Sequence, residues 1–177
     1  MERITSWVKT HHAGSSQARP IEPDTAVRII SNADKPTVII GSRIMDLDGA
    51  PLDRIIRLSR ALDMPIVATA HSGKFLKERG FTNYVEMAVV EITNVATDNK
   101  WGGIEGYGRP DLVMVLGSHL DLMNATFQSL KNFSNIPTMS LSRFFMVNAT
   151  YSFPNLNDDI WIQCLDEVCD KIEKSHL

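Results

Sequence analysis

Three short segments of the sequence place hydroxyl groups, small residues and a lysine where they could hold an anion. They are Gly41-Ser42, Thr69-Ala70-His71-Ser72-Gly73-Lys74 and Gly117-Ser118-His119. Each segment ends an apolar run, and the last two precede helical spacing, so backbone N–H groups at helix starts would lie beside them. The segments predict a crevice for a nucleotide-sized ligand. Its candidate residues are Gly41, Ser42, Thr69, Ser72, Gly73, Lys74, Gly117 and Ser118.

The same segments have simpler interpretations. Gly117-Ser118-His119 lacks the second glycine of Gly-x-Ser-x-Gly, so capping of the next helix by Ser118 is favoured over a serine nucleophile. The segment at Lys74 can be an ordinary turn with a solvent-facing lysine. The glycines of residues 98–110 precede a strand, whereas a dinucleotide-binding fingerprint must follow one. Nothing in the sequence specifies catalysis, and binding or scaffolding is favoured.

Four apolar runs that begin with proline must position these groups. They are Pro36–Gly41, Pro65–Ala70, Pro110–Gly117 and Pro137–Ser142. Proline is tolerated at the first position of a strand, and unbroken apolar character suits strands that helices cover on both faces. The runs therefore predict a parallel sheet whose carboxyl ends share one edge, which is where open α/β folds bind ligands.

Helical spacing connects these strands. Helices are predicted from Pro23, over Pro51–Asp63, Lys74–Arg79, Tyr84–Ala96 and Leu120–Phe133, and from Asn157 to Ile172 with Asn157 or Asp158 as N-cap. Residues 1–22 have no sustained periodicity and are predicted to be an N-terminal arm. Residues 23–177 are predicted to form a single α/β domain.

Composition excludes several classes of function. The chain has 177 residues, 44% of them hydrophobic, and a formal net charge of −3 without any block of Lys and Arg, so nucleic acid is not an expected partner. No apolar stretch approaches the roughly 20 residues that cross a bilayer, and the first residues lack the apolar centre of a signal peptide. The expected location is the cytoplasm. The two cysteines, Cys164 and Cys169, match no metal-binding or redox spacing.

Several motifs carry a resemblance to a known family. They are Lys35–Gly41, Gly108–Ser118 and, most specifically, Thr138–Phe144 together with Asn148–Leu156. From about Ile21 onward the chain resembles the epsilon subunit of the archaeal acetyl-CoA decarbonylase/synthase complex, which belongs to its carbon monoxide dehydrogenase component. More distantly, Pro36–Gly41 and Asp111–Gly117 look like the middle domain of thiamine-diphosphate enzymes. That likeness implies a three-layer Rossmann-like α/β fold with a six-stranded parallel sheet.

The resemblance implies an accessory role in a strictly anaerobic archaeon. In the family, two alpha and two epsilon subunits assemble, and alpha carries the nickel–iron–sulfur clusters that interconvert CO and CO2 during reversible acetyl-CoA cleavage. Two ill-spaced thiols in this chain agree with metals held by alpha. The expectation is a noncatalytic subunit that stabilises alpha and requires no cofactor. The alternative is a module that binds FAD or another ADP-containing ligand and assists electron transfer.

Exposed apolar side chains are the expected docking surface for alpha, since large exposed apolar patches mark partner sites. The candidates are Trp7 and Val8 in the arm, Trp101 in the glycine-rich loop, and Phe144, Phe145 and Met146. When isolated, the chain is also a candidate to form a homo-oligomer.

Overall fold

The computed structural model describes residues 17–175, and its central element is a seven-stranded sheet. The strands are β1 (Arg19–Pro20), β2 (Pro36–Ile40), β3 (Ile66–Ala68), β4 (Tyr84–Glu86), β5 (Leu112–Leu116), β6 (Thr138–Ser140) and β7 (Tyr151–Ser152). Their order is β1-β7-β6-β5-β2-β3-β4, and every neighbouring pair is parallel. The predicted parallel sheet is confirmed.

The predicted count of six strands is wrong by one. Six strands remain without β1. If β2 is counted as the first and β7 as the sixth, their order from the β4 edge is third, second, first, fourth, fifth, sixth, which is that of a doubly wound Rossmann-type sheet. The seventh strand comes from residues assigned to the arm. Arg19 and Pro20 pair with Tyr151 and Ser152, and Ala18 and Ile21 are buried on either side of them.

Six α-helices within residues 17–175 cover the sheet. They are α1 (Pro23–Ser31), α2 (Ala50–Leu62), α3 (Ala70–Glu78), α4 (Val89–Thr97), α5 (Leu120–Phe133) and α6 (Asp158–Ser175). Proline lies in the first turn of α1 and α2, where its missing N–H costs nothing. Asn157 is the N-cap of α6, because its Oδ1 accepts from the Ile160 N–H at 2.9 Å.

Two predicted helices start in the wrong place. The helix predicted over Lys74–Arg79 begins four residues earlier, at Ala70, because the Thr69 side chain caps it there. The interval Tyr84–Ala96 contains strand β4 followed by α4, since Val85 pairs with Val67 of β3. Val85 happens to continue the helical spacing of Val89 and Ile92, so periodicity alone extended the helix over the strand.

The core lies in two layers on opposite faces of the sheet. Side chains alternate along each strand, so Val38 and Ile40 join the layer under α1, α2 and α6, while Ile39 joins the layer under α4 and α5. Both faces of β2 and β5 are therefore covered, as their unbroken apolar character predicts. Within residues 17–175, no helix has the length and apolar character that a bilayer crossing requires.

Candidate functional site

The carboxyl ends of β2 and β5 meet at the point where the strand order reverses. The chain leaves β2 toward β3 on one side and leaves β5 toward β6 on the other, so the connections diverge there. In open α/β sheets this divergence creates the ligand crevice. Gly41 follows β2 and Gly117-Ser118 follows β5, so the structure brings together four predicted site residues, Gly41, Ser42, Gly117 and Ser118.

The chain itself fills this crevice. A 3-10 turn at Ser42–Met45 crosses the end of β5, and the Arg43 N–H donates to the Gly117 carbonyl at 2.7 Å. A Cβ at Gly41 would overlap the Ser118 hydroxyl, and one at Gly117 would lie 2.7 Å from the Ile44 Cα. A dinucleotide needs open backbone beside the first glycine and a helix start for its pyrophosphate. Here α2 begins only at Ala50, so the residues present do not fit a pyrophosphate between β2 and β5.

The segment after β3 is ordered by its own hydrogen bonds. The Thr69 Oγ1 lies 2.6 Å from the Ser72 Oγ and caps α3 by accepting from the Ser72 N–H, and the buried Ser72 Oγ also donates to the Ile40 carbonyl at 3.3 Å. Gly73 packs against the side chain of Glu86. Lys74 is exposed and lies 3.8 Å from Glu78, away from this contact. Thr69 and Ser72 thus join β3 to β2, while Lys74 faces solvent.

A cavity of about 250 Å³ lies beside the closed crevice, above the carboxyl ends of β5 and β6. It combines cationic, acidic, hydroxyl and aromatic groups. Its lining residues are Arg43, Asp46, Leu116, Gly117, Ser118, Leu120, Ser142, Arg143, Phe144 and Trp161. The cavity therefore offers both polar and apolar contacts.

The two arginines of this cavity were not among the residues predicted for the site. Arg43 pairs with Asp46 at 3.2 Å, and Arg143 pairs with Asp158 while its guanidinium lies 4.8 Å from the centre of the Phe144 ring. Both follow the carboxyl end of a predicted strand by a few residues, so their position in the sequence could have identified them.

The prediction that Ser118 caps α5 is wrong. The N-cap is His119, without a side-chain cap hydrogen bond, and the buried Ser118 Oγ has no hydrogen-bond partner in the described structure. Its hydroxyl lies against Gly41 instead, because the left-handed backbone at Gly117 (φ +69°) turns the chain before α5 starts. A buried hydroxyl without a partner is costly, and this one stands beside a cavity and a helix start.

The predicted docking residues lie in different environments. Trp7 and Val8 lie outside the described residues. Trp101 is half-buried in the loop that precedes β5, at the amino edge of the sheet. Phe144 is exposed and Phe145 half-buried, both near the carboxyl edge, whereas Met146 is 5% exposed and belongs to the core. Met146 therefore offers no exposed apolar surface, because the chain after Phe145 turns back toward β7.

Most of the large exposed apolar side chains are at the carboxyl edge of the sheet. Leu47, Val90, Leu120 and Phe144 lie in segments that directly follow a strand, and Phe133 lies at the opposite edge, where α5 ends. Leu120 and Phe144 also form the rim of the cavity. This edge therefore combines apolar contact area with a recess, which is the arrangement of many protein interfaces.

The thiols lie on the opposite side of the sheet from α5. Cys164 and Cys169 are buried, and the Cys169 Sγ donates to the Arg54 carbonyl of α2 at 3.2 Å. Burial raises the pKa of the Cys169 thiol to about 12, although the nearby Arg57 opposes this. Within residues 17–175, neither cysteine belongs to a group of three or more His, Cys, Asp or Glu side chains that could hold a metal ion.

Comparison with known proteins gives a consistent result. A family model described as CO dehydrogenase beta subunit/acetyl-CoA synthase epsilon subunit matches residues 1–169. The chain is 34% identical, over 94% of its length and 95% of the relative's, to the acetyl-CoA decarbonylase/synthase complex subunit epsilon of Methanothermobacter thermautotrophicus. It is 33% identical, over 88% of its length and 89% of the relative's, to subunit epsilon 1 of that complex in Methanosarcina barkeri.

Proposed function

Because the chain belongs to the family of CO dehydrogenase beta subunits and acetyl-CoA synthase epsilon subunits, we propose that it is the epsilon-type accessory subunit of an acetyl-CoA decarbonylase/synthase complex. The observation that carries the proposal is similarity over nearly the whole length of both chains. In this role the chain catalyses nothing itself and stabilises a cytoplasmic alpha subunit that holds the metal clusters. The family resemblance supports two copies of each subunit.

Two features of the structure support an accessory role. Both cysteines are buried, and within residues 17–175 neither belongs to a group of side chains that could hold a metal ion, which supports metal clusters bound by the partner. The apolar side chains at the carboxyl edge supply a surface for that partner.

The first test is reconstitution with the large metal-bearing subunit of the same organism. We expect the two chains to copurify under anaerobic conditions. We also expect the half-life of CO oxidation on heating to lengthen when this chain is present, with kcat unchanged, since a partner that binds only the folded state stabilises it. An equal half-life with and without this chain would refute the stabilising role.

A second test locates the docking surface. Leu120→Glu and Phe144→Glu each place a charge in the carboxyl-edge patch, and Phe133→Glu does the same at an exposed apolar residue on the opposite edge. We expect the first two to weaken copurification at least tenfold, because burying an unpaired charge in an interface costs more than about 1.4 kcal/mol. Phe133→Glu should copurify normally. Weaker copurification of Phe133→Glu alone would show that the interface lies at the amino edge.

The alternative function, a module that binds FAD or another ADP-containing ligand for electron transfer, remains a prediction. The Rossmann-type strand order favours it, and the closed crevice between Gly41 and Gly117 does not. Calorimetry of the full chain with FAD and ADP separates the two functions. Saturable heat that a charge at the exposed crevice residue Ser42 weakens, in Ser42→Glu, would favour the electron-transfer module, and no heat at millimolar ligand would exclude it.

A further inference from the structure

We propose that helices α4 and α5 form a docking face for a second copy of this chain, whose own α4 and α5 pack against it antiparallel across a two-fold axis. This face lies along the outer side of the helix layer, between the two edges of the sheet, and is distinct from the carboxyl-edge residues Leu120 and Phe144. The proposal concerns the chain by itself, so it goes beyond the accessory role and does not depend on it.

One hydrogen bond fixes which sides of α4 and α5 face each other. The buried Thr93 Oγ1 donates to the Thr126 Oγ1 at 3.3 Å. Residues three, four or seven positions from these threonines lie on the same side of each helix, and those that are not buried follow the outer side of the contact. We call this strip the α4–α5 seam, and its residues are Val90, Thr97, Leu122, Ser129 and Phe133.

The seam is apolar and uncharged. Phe133 is 71% exposed and Val90 is 57% exposed, the two largest values among the large apolar side chains of residues 17–175. The charged residues of α4 and α5 are Glu91, Asp121 and Lys131, all outside the seam, whereas nearly half of the 18 residues of α6 are charged. Depletion of charge around exposed apolar side chains is the compositional signal of an interface core.

The apolar residues of the seam match their own antiparallel image. Leu122 and Phe133 are about three turns apart on α5, or about 16 Å along its axis, and Ser129 lies near the midpoint. Val90 lies near Leu122, because both precede the Thr93–Thr126 contact by about one turn. A two-fold axis near Ser129 therefore places Phe133 of each copy against Leu122 and Val90 of the other.

The charges beside the seam favour the antiparallel arrangement. Asp121 lies near the start of α5 and Lys131 near its end, so antiparallel α5 helices bring Asp121 of one copy near Lys131 of the other. Glu91 then approaches the segment after the second α4, where Asp98 and Lys100 have opposite charges, and this flank adds no net attraction. Parallel packing would instead place Glu91 of one copy near Asp121 of the other, which is unfavourable.

The size of the face predicts a weak dimer. A helix of 14 residues is about 21 Å long, and two neighbouring helices are together about 20 Å wide. Two such faces bury a total area near the roughly 1,000 Å² at which specific interfaces begin. We therefore expect a dissociation constant on the order of 10–100 µM.

Sedimentation velocity of the full chain, without any partner, tests the proposal directly. The average mass should rise from that of one chain towards that of two as the concentration increases from about 1 µM to about 500 µM, since that range spans the expected dissociation constant. A monomer over the whole range would overturn the proposal.

Variants locate the face. Phe133→Glu and Val90→Glu should each raise the dissociation constant at least tenfold, because each buries an unpaired charge between the copies. Phe144→Glu is the matched control, since Phe144 is an exposed apolar residue outside the seam and its variant should dimerise normally. The Tm at about 1 µM, where the chain is monomeric, should be the same in all three and in the parent chain. Equal loss of dimer in all three variants would refute the seam.

Cross-linking tests the arrangement without removing charge. Cys164 and Cys169 are buried, so a cysteine introduced at the surface reacts selectively. Under mild oxidation, Ser129→Cys should form a disulfide-linked dimer at least tenfold faster than Gln163→Cys, which lies on the exposed side of α6. Equal rates would indicate random collision and would overturn the seam.

The direction of the helices has its own readout. A mixture of the Leu122→Cys and Phe133→Cys chains should form the mixed disulfide faster than either chain links to itself. Faster linkage of Phe133→Cys to itself would overturn the antiparallel arrangement.

A different occupant gives a different result. If the metal-bearing subunit covers the seam, the parent chain stays monomeric and Phe133→Glu fails to copurify with that subunit. That outcome overturns the proposal for a second copy and leaves the accessory role intact.

Discussion

Gly41 and Gly117 are the residues at which side-chain size matters most directly for the carboxyl edge. They let the 3-10 turn after β2 lie against the end of β5, and the Gly117 backbone has a left-handed φ of +69°. A Cβ at Gly117 meets the Ile44 backbone, and a Cβ at Gly41 meets the Gly117 carbonyl oxygen and the Ser118 Cα at 2.7 Å in addition to the Ser118 hydroxyl. The closed form of this crevice therefore depends on having glycine at both positions.

The first prediction tests this dependence. Gly41→Ala and Gly117→Ala should each lower the free energy of unfolding by about 2–4 kcal/mol, through overpacking at Gly41 and through strain plus overpacking at Gly117. Gly102→Ala is the control, since nothing lies within 4 Å of its added Cβ and its φ is not positive. Urea denaturation measures all three. A loss at Gly102 as large as at Gly41 would contradict the explanation.

A buried thiol and a half-buried phenol make the free energy of unfolding fall at alkaline pH. The Cys169 thiol has an ordinary pKa of 9.0 that burial raises to about 12, and burial likewise raises the pKa of the Tyr107 hydroxyl to about 12. The unfolded chain therefore releases these protons first as pH increases. The associated stability is complete below pH 9 and is lost as pH rises toward 12.

We expect Cys169→Ser to reduce this pH dependence, since serine does not titrate in this range. Urea denaturation at pH 8 and pH 10.5 should show a smaller loss of unfolding free energy in the variant than in the parent chain. The Tyr107 hydroxyl donates to the Pro36 carbonyl at 2.7 Å. Its ionisation accounts for the pH dependence of stability that remains in the variant. Identical losses in both proteins would assign the effect to other groups.

At the scale of elements, α2 and α6 are joined by a charged cluster. Arg57 of α2 bonds to Asp170 at 2.7 Å, to Glu173 at 2.8 Å and to Asp166 at 3.2 Å, and Arg54 also binds Asp166. The hydrogen bond from Arg57 lowers the pKa of Asp170. One guanidinium thus holds together three carboxylates that would otherwise repel one another.

Arg57→Gln should lower the free energy of unfolding by about 1 kcal/mol, a value limited by solvent screening of half-exposed groups. The loss should shrink in high salt. Because the folded pKa of Asp170 is lowered, the parent chain loses stability as pH falls through that pKa, and the variant should lose less. Lys74→Gln, which removes a looser exposed pair, should change stability by under about 0.5 kcal/mol.

The sequence predicted the elements that have strong local signals. Proline at strand starts located β2, β3, β5 and β6, and α5 has the predicted bounds Leu120–Phe133. β1 and β7 have two residues each, too few for any periodic pattern, so only long-range pairing forms them. Strand β4 was missed because apolar spacing continued from it into α4.

The site was predictable only in outline for a related reason. Strand direction correctly brought Gly41 and Gly117-Ser118 to one edge of the sheet. Whether the space between them is open depends on how the Ser42–Met45 turn packs, which is a tertiary property. The burial of Met146 and the unpartnered hydroxyl of Ser118 were unpredictable for the same reason.

At the scale of the whole molecule, residues 18–21 attach one end of the described chain to the edge of the sheet beside β7. The Ala18, Arg19 and Ile21 N–H groups donate to the carbonyls of Val147, Thr150 and Ser152, each at 2.9 Å. Ile21 also enters the core layer under α1 and α6. This edge of the sheet therefore combines backbone pairing with buried apolar area.

Ile21→Ala should lower the free energy of unfolding by about 2–5 kcal/mol, since it leaves a cavity in a layer that has little freedom to collapse. Val90→Ala, at a side chain that is 57% exposed, should change it by under about 0.5 kcal/mol. Thermal or urea denaturation measures both. A small effect at Ile21 would mean that β1 contributes little to the stability of the sheet.

The pairing of Arg19 with Tyr151 has a consequence for synthesis on the ribosome. At about 5–20 residues per second, residues 17–22 emerge on the order of ten seconds before their partner strand exists. During that interval β1 has no neighbour, and β7 cannot complete its side of the sheet until both ends of the chain meet. The segment made early is thus the one that docks late, and ribosome-stalled chains should protect Ile21 from protease only when a C-terminal linker is long enough for Ser152 to have left the exit tunnel.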